Sequence, residues 1–174
     1  MTRAEDRDRL LRIYLDDHLA GSAAGVRRAR RLAEAERDGP DGDALAELVA
    51  DIEQDRRALL AIVDGLGFEQ RRAKQVLAAV VERLGSMKLN GRLFRRSPST
   101  SVVETEMMML ALRGKLAGWH VLAAAVGPAA VRAATGGRVD LDELEARGRR
   151  QFETMTAIHE RTARRVFGAA APAA

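Results

Sequence analysis

Through four long segments of this 174-residue chain, apolar residues recur at i, i+3, i+4 and i+7, and no segment of useful length alternates as a strand would. That pattern confines the chain to helices. The first segment runs from about Ala4 to Arg37 and stops at Asp38-Gly39-Pro40-Asp41-Gly42, where glycine and proline end one helix and Asp43 can cap the next. The second runs from about Ala44 to Asp64, with Gly65 and Gly67 bracketing its end. A shorter helix from about Phe68 to Leu84 stops at Gly85, and a basic connector, Met87 to Pro98, follows it. The third segment opens on the capping box Ser101-Val-Val-Glu104 and ends at Gly127-Pro128. The fourth opens on Asp140-Leu-Asp-Glu143 and runs to about Phe167. Residues 1–168 therefore read as one all-α domain and 169–174 as a frayed tail.

Composition removes several function classes. Cysteine is absent, which excludes disulfides, thiolate metal sites and cysteine nucleophiles, and fits a cytoplasmic location. No charged n-region with an apolar h-region opens the sequence, and the most apolar run, Leu116 to Val131, is broken by His120, Gly127 and Pro128. No membrane span is expected. The isoelectric point near 10.2 invites a nucleic-acid reading, but 29 basic residues face 25 acidic ones and leave a net charge of only +4. Only Lys74, Lys88 and Lys115 among the basic residues are lysines, so the high value reflects arginine. The connector residues Lys88, Arg92, Arg95 and Arg96, with Arg27, Arg28, Arg30 and Arg31, are the candidate nucleic-acid contacts, and one interleaved aromatic, Phe94, makes a solvated loop the simpler reading. No phosphate-binding glycine loop, Ser/His/Asp arrangement or zinc signature is present.

The first two segments are joined by a tight turn and the last two by a modest one, whereas Leu66 to Thr100 separates the pairs. At about 1.5 Å per residue, the helix within that insert can travel most of a bundle's length. Two antiparallel hairpins joined by one long crossover is a layout that resembles the ferritin-like superfamily from about residue 4 to 168. The resemblance implies a four-helix bundle and a di-iron ligand set of Glu, Glu-x-x-His, Glu and Glu-x-x-His. Matched onto this chain, the second helix offers Glu53-Gln-Asp-Arg56, the third Glu106 and the fourth Thr156-Ala-Ile-His159. Arginine stands where a histidine is needed and threonine where a glutamate is needed, so the likeness is to the scaffold and not to the site. Glu53, Glu106 and His159 remain as a reduced metal set without a fourth ligand; no cofactor is expected.

Counting from the shared end where the first helix stops and the third starts, Gly21 and Gly25 fall at the same depth as Gly114 and Gly118. On a helical wheel both pairs face inward, the second with Val103, Met107, Leu110 and Val121. A glycine inside a helix costs about 1 kcal/mol against alanine, so the coincidence is read as close backbone approach of the two helices. Near the same level His18 sits on the first helix's apolar face. Arg56 sits on the second's, with Leu45, Val49, Ile52, Leu59, Leu60 and Val63. An arginine there must be paired, by Glu53, Asp17, Glu106 or backbone carbonyls. Asp17, His18 and Arg56 thus form the candidate inner polar network, with a small anionic ligand at Arg56 as the sharper alternative. Met108, Leu112, Leu116 and Trp119 make a second apolar stripe on the third helix, to be covered by the crossover helix or by a second subunit in a homodimer. The leading expectation is a ferritin-like binding or interaction module without a working di-iron centre. A metal-dependent enzyme or stress protein, and a nucleic-acid binder, are the alternatives.

Overall fold

The computed structural model describes residues 2–68 and 98–168, and all the regular structure among them is helical: α1 (Arg3–Ala35), α2 (Gly42–Gly65), α3 (Pro98–Ala125), α4 (Pro128–Ala134) and α5 (Leu141–Phe167). The helix expected over 68–84, the basic connector and the tail fall almost wholly outside the described residues. Local chemistry sets the ends. Thr2 and Glu5 form a reciprocal capping box at the start of α1. The cap of α2 is Asp41, not Asp43 as the sequence implied. Asp41 is buried because Arg161 of α5 grips its carboxylate at 2.6 and 2.9 Å. α3 begins at Pro98 rather than at Ser101, since proline suits a first turn, whose N–H groups lack intrahelical partners anyway. Asp140 caps α5 as expected, its carboxylate accepting from the N–H groups of Asp142 and Glu143, and those bonds pull its pKa below the usual carboxylate range. Between α3 and α5 the sequence implied only a turn. Gly127, at φ 91°, instead turns the chain sharply into the short α4, with Pro128 in its first turn.

The helix directions follow from the bonds between them. Arg7, near the start of α1, donates to the carbonyl of Ala125 at the end of α3, so these two helices run antiparallel. Arg161 meets Asp41, and His159 meets Thr105, so the end of α5 lies beside the starts of α2 and α3. α1 ends and α2 starts at that same end, whereas Phe68 lies at the other, under Arg12. Residues 69–97 therefore join opposite ends of the bundle. α1 packs on α2 and α3 on α5, and the two pairs meet along α1/α3 and α2/α5.

Two apolar clusters fill the interior. One, towards the α4 end, gathers Leu15, Leu19, Leu59, Ile62, Trp119, Leu122, Val131 and Leu144. The other, towards the α1–α2 turn, gathers Val26, Leu32, Leu45, Leu48, Ile52, Met108, Leu112, Met155 and Ile158. Burial of this apolar surface, about 25 cal/mol per Å², is the main force holding the helices together. The face of α3 is the reverse of that expected. Met108, Leu112, Leu116 and Trp119 are buried in the single chain, whereas Val103, Met107, Leu110 and Val121 are exposed. The reason is α5, which packs closely on α3: Gly148 lets the Leu116 side chain in so near that a Cβ would sit 2.8 Å from it. A dimer surface built on those four residues is thus not at the surface. Among the described residues no single helix is long and apolar enough to cross a membrane; α3 and α4 reach that length and apolarity only as a pair, and they are bent by 93°.

Candidate functional site

Between the two apolar clusters lies a layer of charge. Asp55 of α2, 2% exposed, accepts from Arg147 of α5 through Nε at 2.7 Å and a terminal guanidinium nitrogen at 2.6 Å. Its other oxygen accepts from Lys115 Nζ of α3 and, at 3.0 Å, from Gln151 Nε2 of α5. Gln151, also 2% exposed, closes the ring by accepting from Lys115 through Oε1. Every member is hydrogen-bonded, as buried polar groups must be. Burial pushes the Lys115 ammonium below the usual lysine range. The charge and hydrogen bond of Asp55 oppose that shift, Arg147 adds to it, and Asp51 opposes it in turn.

Next to this layer α1, α2 and α3 bound a cavity of about 360 Å³. Its wall includes all four glycines that the sequence singled out, and for three of them the expected close approach is reversed. A Cβ added at Gly21, Gly25 or Gly114 would meet nothing within 4 Å. These glycines leave side-chain space empty rather than drawing backbones together. Gly118 differs, because the ring of His18 lies where its side chain would be, with Cε1 2.9 Å from the added Cβ. Depth along the bundle was therefore legible in the sequence, and the use of the space was not.

The three residues of the expected polar network all line the cavity, but they do not form a network. Asp17 stands exposed at the rim. His18 is half-buried and tilted at 50° against the Tyr14 ring, with centroids 4.4 Å apart. Arg56 is half-buried and makes no ion pair or hydrogen bond with any described residue. Glu53, its expected partner, is instead bound by Arg30 at 2.6 Å. Lys115 and Asp55 also line the cavity, as does Trp119, whose indole N–H is buried without an acceptor among the described residues.

The reduced metal set is not brought together. Glu53 belongs to Arg30, Glu106 is exposed on α3, and His159 Nδ1 lies 2.8 Å from the hydroxyl of Thr105 rather than facing Glu106. Among the described residues no three His, Asp or Glu side chains are grouped to hold a metal ion. Of the candidate nucleic-acid contacts, Arg27, Arg28 and Arg31 are exposed on α1, Arg30 is held by Glu53, and the connector residues are outside the described residues.

Burial lowers the pKa of His18 below its ordinary 6.5, and the nearby Asp17 charge opposes this only in part. The unfolded chain then takes up the proton first as pH falls. Stability from the neutral ring is complete above about pH 6.5 and is lost as pH drops through that value towards the folded-state pKa. The shift in urea midpoint between pH 7.5 and 5.5 is expected to be smaller in His18→Gln than in the parent protein. Identical shifts would show that His18 does not contribute.

No protein-family model, curated protein or solved structure matches this chain.

Proposed function

We propose that the protein is a ferritin-like helical bundle that serves as a small-molecule binding module, taking a ligand with an apolar body into the cavity among α1, α2 and α3. The observation that carries this reading is the set of three glycines, Gly21, Gly25 and Gly114, around space that no described residue fills. Gly21 and Gly114 are exposed, so the space opens at the surface, and a helix gains about 1 kcal/mol from alanine in place of an interior glycine. A chain that forgoes that gain three times at one level of the bundle keeps room there for something else. The cavity's size, its leucine, isoleucine and methionine walls and its few polar groups are those of a small-molecule site. The scaffold half of the reading is supported by the two antiparallel hairpins and by a linking segment that joins opposite ends.

Trp119, the single tryptophan, lies in the cavity wall and reports occupancy directly. Decanol, a neutral probe, is expected to shift its emission and raise the melting temperature of the parent protein. Both effects should vanish in Gly25→Leu/Gly114→Leu, whose side chains occupy the space. Binding that survives this filling, or no binding to the parent protein, would overturn the reading.

A further inference from the structure

The polar groups of the cavity wall point to the class of ligand, and this step rests on the binding reading above. Asp55 is the buried acid of the wall, and both of its oxygens are taken up by Lys115, Arg147 and Gln151. It has no demand left for a cation. The donors are different. Lys115 has three N–H groups and spends two, on Asp55 and Gln151. Arg56 has five donors and spends none on the described residues. The Trp119 indole N–H, in the same wall, is buried and has no acceptor among them.

Apart from the His18 imidazole, which can donate or accept, what the wall leaves unsatisfied among the described residues is hydrogen-bond donation, two of its sources carrying positive charge. The acid that could compensate from the wall, Asp17, is exposed at the rim, where water screens it. A guanidinium in a largely apolar wall is matched best by a planar oxyanion that accepts two of its N–H groups at once. Apart from His18 and Ser22, whose hydroxyl donates to the Leu19 carbonyl, the rest of the wall, including Leu15, Ile52, Leu59, Leu112 and Leu122, is apolar. We infer that the ligand is an organic carboxylate with an apolar chain or ring, its oxyanion held by Arg56 with help from the spare Lys115 N–H and its body lying between α1 and α3. Arg56 fixes the sign of the ligand's charge, and the glycines fix its bulk.

Three ten-carbon probes separate this inference from the reading beneath it: decanoate, decanol and decylamine, each titrated below its aggregation concentration against Trp119 emission. Decanoate is expected to bind at least tenfold more tightly than either of the others. Arg56→Met is expected to weaken decanoate by about ten- to a hundredfold, the range for a charge-assisted hydrogen bond, and to leave decanol unchanged. Because Arg56 makes no ion pair or hydrogen bond with any described residue, that variant should keep the parent melting temperature. Arg56→Lys, which retains charge but not the planar fork, should fall between the two. Equal affinity for decanoate and decanol with no effect of Arg56→Met overturns the carboxylate inference and leaves the cavity reading intact. Preference for decylamine overturns it in favour of the acids. No response to any of the three overturns both.

Discussion

Asp55→Ala is expected to destabilise the protein by about 3–5 kcal/mol, the cost of leaving buried charges uncompensated. Removing that carboxylate strands the Lys115 ammonium and the Arg147 guanidinium, whose side chains are only 17% and 15% exposed, and frees the amide of Gln151. Water cannot reach all of them, so the loss far exceeds the net value of any one ion pair. Urea unfolding at pH 7 measures it as a fall in midpoint with an unchanged slope. The set as a whole behaves differently. Taking two cations and an anion out of water is costly even when they are well paired, so apolar replacement of all four residues is often neutral or stabilising. Asp55→Leu/Lys115→Met/Arg147→Met/Gln151→Leu is therefore expected to recover most of what Asp55→Ala loses. A loss below about 1 kcal/mol in Asp55→Ala would mean that solvent reaches the layer.

A second large effect has the opposite sign. Combining Gly21→Ala, Gly25→Ala and Gly114→Ala is expected to stabilise the protein by about 2–3 kcal/mol, since each replacement gains about 1 kcal/mol of helix propensity and meets no neighbour. Gly118→Ala, one turn beyond Gly114 on the same helix, is expected to gain nothing or to destabilise, because its methyl group must displace the His18 ring. Thermal unfolding of the four single variants and the triple tests this contrast. If Gly114→Ala and Gly118→Ala shift the melting temperature alike, the cavity and the His18 contact are both misplaced. The stabilised triple variant should also bind decanol less tightly, which makes binding and stability compete for the same space.

The helices, their punctuation and the common depth of the glycines were legible in the sequence because each rests on local rules: periodicity, capping and rise per residue. The inner face of α2 was harder to read. The apolar residues of the helix suggested a face centred on Arg56, but strict three-and-four spacing runs through Leu45, Leu48, Ile52, Asp55, Leu59 and Ile62, and it is Asp55 that is buried. A one-residue turn of the wheel, about 100°, separates the two readings, and an acid amid leucines is easily dismissed as exposed. Its partners carried a weak signal of their own. Lys115 is one of three lysines in an arginine-rich chain, and Gln151 falls in the same spacing on α5 as Leu144, Gly148, Met155 and Ile158. On α3 both sides of the helix are apolar, so composition offered no way to choose between them. Only the packing of α5 against Leu116 decides the matter. The role of the glycines was illegible for a related reason, since a missing side chain permits either contact or emptiness.

The charged layer between the two apolar clusters also governs alignment. Four helices with leucine-rich seams could slide past one another by one heptad, about 10.5 Å, and still match apolar residue to apolar residue almost everywhere. Such a slip would move Asp55 to the level now held by Leu48 or Ile62, away from both cations, and would bury three charges alone. Only one vertical register of α2 against α3 and α5 neutralises them. The layer therefore acts as a ratchet pawl for the bundle, denying it the neighbouring alignments that a purely greasy interior would tolerate.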